Sequence, residues 1–324
     1  MVVFAILAII VLVIAKPFSK KQPKFTTAEV KRQDISQTVS ASGTMEAVNK
    51  VTLQFLNPGK LSFVNVKVGD SVRANQTIAG LDSRDLIEKR KIALLDYNSI
   101  RWDFEQTKEN YKDTILNDTI KRTLEKSQFD LDRSVANVNL PQISLENATL
   151  TTPIAGIVTQ ADTTTPGENV PATNHFTIID PNKMKFVANI DEGDIGIIKT
   201  GQAVTLTLDA YSDKTFSGQV DKISFSSVLT NGGGTAFPVE ILYSTNPDLM
   251  FKDGMNGDIE VVIKEAKNTL VVPSSAITTQ GDKKFVQVLS HGENSTVEVK
   301  TGVESDTSTE ITQGLSEGQT VIVK

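Results

Sequence analysis

Few residues of this chain have the types and spacing that catalysis or metal binding requires. The 324 residues include no cysteine and only two histidines, His175 and His291. Without cysteine there is no disulfide, no thiolate metal site, no cysteine nucleophile and no lipidated cysteine. The two histidines lie 116 positions apart, and we interpret them as unrelated polar surface residues.

Motifs that would indicate catalysis are missing or lack their context. The spacings H-E-x-x-H and G-x-x-x-x-G-K-[ST] do not occur, and the one G-x-S-x-G, at 314–318, lies in a β-rich stretch and not between a strand and a helix. The glycines at 232–234 lack the lysine and the following helix of a phosphate-binding loop, so we interpret them as a flexible loop. We therefore expect no enzymatic activity, no metal and no cofactor.

Composition and charge exclude further classes of protein. Hydrophobic residues make up 39% of the chain and charged residues 22%, which is typical of a folded protein and not of a disordered or polytopic membrane protein. Residues 1–133 hold 21 basic and 16 acidic side chains, whereas residues 134–324 hold 12 and 23. The larger, acidic part lacks the basic face that nucleic-acid binding needs, so we expect no nucleic-acid partner.

The first segment has the form of a membrane anchor. Residues 2–15 are an unbroken apolar run followed by a lysine cluster, and its anchor candidates are Val2, Ile6, Ile10 and Ile14. As a helix the run spans about 21 Å, against about 30 Å of hydrocarbon core. The absence of an A-x-A site favours an uncleaved anchor over the alternative, a cleaved signal peptide. A start of the natural protein upstream of Met1 is a further alternative.

The sequence predicts two kinds of secondary structure, β-strands and long helices, and these must position any functional surface. Residues 26–82 and 149–324 are short β-rich runs separated by turn residues. Residues 83–148 contain no glycine and predict helix, with a polar break at 117–119 and a proline, Pro141, that we expect to kink or interrupt the second half. Apolar residues recur every seven positions, which predicts an antiparallel helical hairpin with arms of about 45 Å. The repeating positions are Leu86, Ala93, Ile100, Tyr97, Phe104, Tyr111, Leu124, Leu131, Val138 and Leu145.

An internal repeat joins the β regions on either side of the helices. Gly59 is followed ten residues later by Gly69, and Gly156 is followed eleven residues later by Gly167, each within a similar pattern of strands. Each half is too small to bury a core alone. We therefore expect the halves to pack together as one β unit from which the hairpin projects.

Five motifs in this order resemble a known family. The chain is similar to the periplasmic adaptor subunits, or membrane fusion proteins, of HlyD and RND type, and most similar to the MacA-like adaptors of MacB-type ABC exporters. The motifs are Val68-Gly69-Asp70-x-Val72, Thr152-Pro153-Ile154-Ala155-Gly156-x-Val158, Leu249-x-x-x-Asp253-Gly254-Met255-x-Gly257, Val272-Pro273-x-x-Ala276-Ile277, and Thr301-Gly302 leading to Gly314-Leu315-x-x-Gly318.

The resemblance implies a mostly β, elongated multi-domain protein with a long α-helical hairpin. Its implied parts are an anchor and basic flank (1–24), a membrane-proximal β domain (25–46 with 265–324), a lipoyl-like barrel-sandwich hybrid (47–82 with 149–182), a coiled-coil hairpin (83–148) and a β-barrel (183–264). It further implies a non-enzymatic adaptor of an efflux or secretion transporter. Such an adaptor assembles, as a hexamer, into a funnel between an inner-membrane pump and an outer channel or the exterior.

The implied partners are an inner-membrane ABC transporter or RND pump, a TolC-like outer-membrane channel, and further copies of the chain. The resemblance places the amino terminus in the cytoplasmic membrane and the body in the periplasm or on the extracellular face. The hairpin tip would dock a partner through Lys112, Leu116, Asn117, Asp118, Thr119 and Thr123. Lysine lacks the bidentate fork of the arginine that channel-docking relatives present, so the identity of the tip's partner stays open.

A second implied site is a loop that narrows the channel in relatives. Here it corresponds to Thr164, Thr165, Pro166 and Gly167. Pro166 replaces a glutamine often found in ABC-linked adaptors, so a hydrogen-bonded ring of side chains is not expected. An ordinary tight surface turn is the alternative.

Two other classes of protein share parts of this arrangement of strands and helices. A lipoyl or biotinyl carrier has the same half-β fold, but it needs a lysine on a tight hairpin, where this chain has Asn75-Gln76. A surface adhesin built of β modules has no need of a long helical hairpin.

Overall fold

The computed structural model describes residues 26–230, 232–290 and 293–323. The proposed anchor residues and His291 lie outside these ranges. Within them, no helix is long and apolar enough to cross a membrane. The chain divides into two compact units. One holds the described residues up to Ser40, Gly196–Ile198 and those from Glu260 onward, and the other holds Ala41–Ile195 and Lys199–Ile259.

Strands form most of the described chain. The first ten are β1 Thr26–Glu29, β2 Lys31–Ala47, β3 Lys50–Gln54, β4 Gly59–Val64, β5 Ser71–Val72, β6 Thr77–Leu81, β7 Thr149–Thr151, β8 Gly156–Ala161, β9 Asn169–Val170 and β10 His175–Ile179. The others are β11 Met184–Asp191, β12 Ala203–Leu208, β13 Thr215–Ile223, β14 Val228–Leu229, β15 Thr235–Tyr243, β16 Asn256–Pro273, β17 Ile277–Gln280, β18 Lys283–Ser290, β19 Glu293–Glu304, β20 Ser308–Gln313 and β21 Thr320–Val323.

Two long α-helices connect β6 to β7. They are α1, Arg84–Asn110, and α2, Asp118–Asn147. Single-turn 3₁₀ helices occur at Ile195–Ile197, Asp209–Tyr211, Pro247–Leu249 and Ser274–Ala276. The predicted class, mostly β with one helical hairpin, is confirmed.

The two repeats form two four-stranded sheets that exchange strands. One sheet has the order β3-β10-β8-β5 and the other β7-β6-β4-β9. Strand β5 of the first repeat pairs with β8 of the second, and β9 of the second pairs with β4 of the first. Phe55, Leu61, Ile78, Phe176 and Ile178 are buried in the shared core. Neither repeat has a complete sheet of its own, which accounts for the repeat seen in the sequence.

The helices form an antiparallel pair whose seam follows the predicted seven-residue spacing. A series of partly or fully buried positions recurs at alternating intervals of four and three residues along each helix. On α1 they are Leu86, Arg90, Ala93, Tyr97, Ile100, Phe104, Thr107 and Tyr111, the last being the C-cap. On α2 they are Ile120, Leu124, Ser127, Leu131, Ser134, Val138, Pro141 and Leu145. Arg90 Nη1 donates to Gln142 Oε1 at 2.7 Å and fixes the register of the pair.

Of the two effects expected of Pro141, a kink or an interruption of the second helix, the interruption is wrong. Helix α2 continues through Pro141 to Asn147. Proline removes one backbone donor, which leaves the carbonyl of Asn137 without its usual partner. Asn137 is exposed, so water can satisfy that carbonyl, while packing across the seam holds the helix.

The second compact unit also contains a closed barrel. Its strand order is β16-β12-β13-β15-β11-β2, and β16 also pairs with β2. Met45, Met184, Phe186, Leu206 and Ile241 are each fully buried inside it.

The first compact unit is a sheet of order β1-β21-β18-β19-β20-β16, with β17 added on β18. Thr26 pairs with Val323, so the first described strand lies beside the last. Its buried core consists of Val30, Val272, Ala276, Val286, Val288, Val299, Ile311 and Val321.

Close packing between strands explains why the Thr-Pro-Ile-Ala-Gly motif ends in a glycine, Gly156. A Cβ at this position would lie 2.0 Å from the carbonyl oxygen of Ile179 on the neighbouring strand. Real Cβ atoms do not approach backbone oxygen so closely, so only glycine allows β8 and β10 to pair here.

We predict that Gly156→Ala destabilises the protein by about 2 kcal/mol or more, because β8 and β10 must separate. Gly193→Ala is the matched control, since a Cβ there meets nothing within 4 Å. Its effect is expected to stay within about 0.5 kcal/mol. Urea unfolding of both variants measures the difference, and equal stabilities would contradict the packing described for Gly156.

Candidate functional site

The hairpin tip lies earlier in the chain than the break that the sequence predicted at 117–119. Asn117 is the N-cap of α2, and its side-chain oxygen accepts from the backbone N–H of Ile120 at 2.9 Å. Asp118 and Thr119 therefore belong to the first helical turn and not to the break. The connecting segment is 111–117, a turn followed by extended chain.

The predicted docking residues lie on three different segments. Lys112 sits in the turn after α1, with its ammonium 3.4 Å from Glu109 Oε1. Leu116 lies in the extended segment, and Thr123, on α2, donates its hydroxyl to the carbonyl of Thr119 at 2.9 Å. No single helix face therefore presents Lys112, Leu116 and Thr123 together.

The tip carries an aliphatic residue that the sequence reading missed. Ile115 is 91% exposed and adjoins Leu116, which is 67% exposed. The sequence contained a signal for this surface, because two consecutive aliphatic residues in a polar turn have no hydrophobic core to pack against. A large exposed apolar pair at the end of a long projection is typical of a contact surface.

The predicted constriction loop is held at both ends. Gly167 N donates to the carbonyl of Leu61 at 2.7 Å, and Leu61 N donates to the carbonyl of Glu168 at 2.8 Å. The buried hydroxyl of Thr163 donates to Glu168 Oε2 at 2.9 Å. Gly167 has φ +93°, in the left-handed region that favours glycine.

The free part of the loop is short. Thr164, Thr165 and Pro166 are exposed, between the buried Thr163 and the anchored Gly167. The structure therefore brings the four predicted loop residues together as one rigid turn beside β4. The turn presents two hydroxyls and a proline ring, and Pro166 has no side-chain donor or acceptor.

A histidine lies at the base of this loop. His175 Nδ1 is 2.8 Å from Asp162 Oδ2, and the backbone N–H of His175 donates to the same oxygen at 3.0 Å. Gln160 donates to the other oxygen of Asp162 at 2.9 Å. The backbone hydrogen bond from His175, with the bond from Gln160, lowers the pKa of Asp162. His175 is thus paired and is not a free surface residue, a contact that no local sequence pattern predicts.

A second charged cluster lies where α1 begins. Arg84 makes a two-pronged contact with Asp82, with Nη2 at 2.6 Å and Nε at 2.9 Å. The hydrogen bonds from Arg84 lower the pKa of Asp82 to about 2. Lys60 lines the same shallow groove. Because these groups satisfy one another at an exposed helix start, the arrangement orients the hairpin base and does not form a reactive site.

No constellation for metal binding is found in the described ranges. The hairpin turn between β5 and β6, where a carrier would present its lysine, contains Asn75 in the left-handed conformation with φ 61°. Gln76 closes the turn, because its side chain accepts from Arg73 N at 2.9 Å. This turn therefore offers no amine for a prosthetic group.

Two domains match known family descriptions. Residues 184–261 match the YknX-like beta-barrel domain. Residues 269–324 match the YknX C-terminal permuted SH3-like domain.

Longer matches cover nearly the whole chain. The macrolide export protein MacA of Escherichia coli O157:H7 is 25% identical, over 93% of this chain and 89% of its own length. The putative efflux system component YknX of Bacillus subtilis (strain 168) is 25% identical, over 92% and 86%. The multidrug resistance protein MdtA of Salmonella heidelberg (strain SL476) is 22% identical, over 90% and 74%.

Solved structures give the same result for the fold. The crystal structure of MacA from Actinobacillus actinomycetemcomitans has a TM-score of 0.70 and 26% identity, covering 93% of this chain and 100% of that one. A MacA chimera with the Pseudomonas aeruginosa MexA hairpin has a TM-score of 0.74 and 25% identity, covering 92% and 100%. The chain is therefore similar over nearly its whole length to MacA-like membrane fusion adaptors, and its barrel and C-terminal domain match YknX-like domains.

Proposed function

We propose that this adaptor has no catalytic activity and acts in efflux by assembling copies of itself, six in number, into a funnel on an inner-membrane transporter. The body lies outside the cytoplasmic membrane, to which residues 1–24 anchor it. Relatives named as export, efflux and multidrug resistance proteins support the transport role.

The predicted domain division is part of this proposal. Residues 25–46 with 265–324 form the membrane-proximal domain that faces the transporter, and 183–264 form the barrel. Residues 47–82 with 149–182 form the lipoyl-like unit, and 83–148 extend the funnel away from the membrane.

The observation that carries the proposal is a set of apolar side chains exposed on the outer surface of the hairpin. Nine large apolar side chains on α1 and α2 are exposed, and seven of them follow a seam residue by one or two positions. We call these seven the apolar flank: Ile87, Leu94, Leu95, Trp102, Phe129, Val135 and Ile143. Each lies one or two positions after Leu86, Ala93, Ile100, Ser127, Ser134 or Pro141 in the seam.

The apolar flank covers the outer surface of both helices. In an antiparallel helix pair, residues one position after equivalent seam residues lie on the same side of the seam, and residues two positions after them point away from the partner helix. Trp102 on α1 and Phe129 on α2 therefore point outward from opposite faces of the hairpin, and the register set by Arg90 and Gln142 places them at nearly the same level. The other two exposed apolar residues of the helices are Ile92 and Leu140.

The apolar flank has no partner within the hairpin. Trp102 is 64% exposed and Phe129 is 69% exposed. Exposed aromatic side chains of this size are among the residues that contribute most when an interface buries them. A neighbouring hairpin on each face would cover the flank, with Trp102 of one copy against Phe129 of the next, and repeated contacts of this head-to-tail kind close into a ring.

The transporter is an ABC exporter or an RND pump. The resemblance to MacA-like adaptors favours the ABC exporter, while the similarity to MdtA keeps the RND pump as the second candidate. A surface β-module protein without a transport role is disfavoured by the long hairpin.

The hairpin tip and the constriction loop have separate roles in the proposal. The tip, with Ile115 and Leu116 exposed, docks an outer-membrane TolC-like channel where the cell has one, or the tips of a neighbouring assembly. The rigid turn at Thr164, Thr165 and Pro166 narrows the path inside the funnel. Its fixed ends support this role, because a turn that narrows a path must resist displacement.

We predict that Trp102→Glu with Phe129→Glu abolishes or weakens self-assembly by at least about tenfold, because two charges would have to be buried between hairpins. Leu229→Glu, at an 80% exposed leucine of β14, is the matched control and leaves assembly unchanged. Sedimentation of the full chain in detergent measures the oligomer. If the double variant assembles like the wild type, the apolar flank is not the contact between copies.

We predict that Ile115→Ser with Leu116→Ser reduces export at least about tenfold, because the tip loses the apolar surface that its partner covers. The variant is expected to fold, assemble and bind the transporter normally, since both side chains lie outside every core. Leu229→Ser is the control for loss of an exposed leucine. Undiminished export by the double variant would show that the partner surface lies elsewhere.

A further inference from the structure

Two short linkers connect the barrel to the two sheets of the repeats. One, Val48-Asn49, joins β2 to β3, and the other, residues 180–183, joins β10 to β11. The hairpin rises from β6 and β7 of these sheets, so its direction relative to the barrel is set at the linkers. An arm of about 45 Å moves its end by about 8 Å for every 10° of freedom at such a joint. The linkers therefore decide how precisely the tip is positioned.

The two linkers contact each other. Asp180 N donates to the carbonyl of Asn49 at 2.9 Å, and the side-chain amide of Asn49 donates to Asp180 Oδ2 at 3.3 Å. Val48 N donates to the carbonyl of Lys183 at 3.1 Å. These bonds hold the linkers side by side as a two-stranded ribbon. Because such a ribbon can still twist and bend, a further contact is needed to fix it to the barrel.

The barrel loop that joins β15 to β16 binds both linkers. At its start, the side-chain amide of Asn246 donates to the carbonyl of Pro181 at 2.7 Å. At its end, Asp253 Oδ1 accepts from the backbone N–H of Ala47 at 2.9 Å, and Asp253 Oδ2 lies 3.1 Å from Lys50 Nζ. Ala47 precedes the first linker and Lys50 follows it, so a single carboxylate spans that linker.

This loop is fixed in the barrel core. Asn246 also donates to the carbonyl of Phe251 at 2.8 Å and accepts from Phe251 N at 2.9 Å. Phe251 is buried, and the centroid of its ring lies 4.9 Å from that of Phe216 and 5.2 Å from that of Tyr243. The bond from Asn246 to Pro181 therefore connects the second linker to buried side chains of the barrel.

The loop has a backbone conformation that its residues disfavour. Asp248 and Leu249 have φ 51° and 50°, in the left-handed region, although neither is a glycine. Strain of this kind persists only where the surrounding contacts impose it, and it concentrates at functional sites. The turn that these two residues make lies between Asn246 at one linker and Asp253 at the other.

We propose that Asn246 and Asp253 are positioning residues that clamp both linkers, so that the barrel and the repeat sheets, with their hairpin, turn as one rigid body. We call these two residues the linker clamp. The clamp follows from contacts within one compact unit of the chain and needs no transporter. Its use rests on the proposed function, because a movement that the transporter imposes on the barrel would then reach the tip and would not be absorbed by bending at the linkers.

Distances between spin labels in the full chain test the linker clamp. The chain has no cysteine, so Ser71→Cys on β5 and Ser217→Cys on β13 create the only two labelling sites, one on each side of the linkers. Both serines are exposed. Labelled chain is mixed in detergent with an excess of unlabelled chain, so that each assembly holds one labelled copy. Double electron–electron resonance then gives the width of the distance distribution, which measures the freedom at the linkers.

We expect Asn246→Ala with Asp253→Ala to broaden this distribution at least about twofold, because both linkers lose their side-chain contacts with the barrel. Asn189→Ala with Asp221→Ala is the matched control. Both of these residues are exposed on the outside of the barrel, and their replacement leaves the width unchanged.

A second pair of labels reports on the barrel alone. Ser217→Cys with Ser227→Cys places both labels at exposed barrel positions, and its distribution stays narrow in every variant. If the double variant does not fold, Asp253→Asn replaces it. The asparagine keeps an oxygen for the N–H of Ala47 but loses the ion pair with Lys50, so a broadening of about 1.5-fold is expected.

A broad distribution between Ser71 and Ser217 in the wild type, or an unchanged width in the variant, would overturn the linker clamp. Equal broadening of the pair within the barrel would also overturn it, because the two residues would then support only the barrel itself. These readouts need neither a transporter nor export. A clamped chain that does not assemble contradicts the proposed function alone, and an assembling, exporting chain with a loose joint contradicts the clamp alone.

Discussion

The hairpin can project because the strands that lead into and out of it are paired with each other. Strand β6 pairs with β7, and Leu81 N donates to the carbonyl of Ala148 at 2.9 Å. This pairing holds the start of α1 beside the end of α2 and sets the seam between them. The surfaces assigned to assembly and docking depend on it, since a shift at the base would rotate the apolar flank and displace the tip.

The seam itself is weak for a coiled coil. Arg90, Thr107, Ser127, Ser134 and Pro141 occupy seam positions where apolar residues would pack better. Packing of a neighbouring hairpin on the apolar flank stabilises a hairpin with such a seam, because binding to the folded form stabilises that form. Assembly and hairpin stability are therefore linked in the proposal. The coiled coil of an isolated copy is marginally stable, and packing between neighbouring copies buries its apolar flank.

The sequence predicted features that repeat and missed features that depend on single contacts. The seven-residue spacing from Leu86 to Tyr111 was enough to predict the seam, and the spacing of Gly59 and Gly156 was enough to predict the paired β repeats. Pro141 was misjudged because packing can hold a helix that has lost one hydrogen bond. The tip boundary was misplaced because Asn117 serves as a cap, and the pairing of His175 with Asp162 depends on strand register, which no local pattern reveals.

The central claim is that this chain works by assembling on a transporter and not by catalysis. It is tested most directly by reconstituting the full chain with a candidate inner-membrane transporter and measuring that transporter's turnover, as ATP hydrolysis for an ABC exporter or proton-driven transport for an RND pump. The account predicts that turnover rises when the adaptor is added and stays at the basal rate without it. An adaptor that binds the transporter and leaves both turnover and export unchanged would contradict the account.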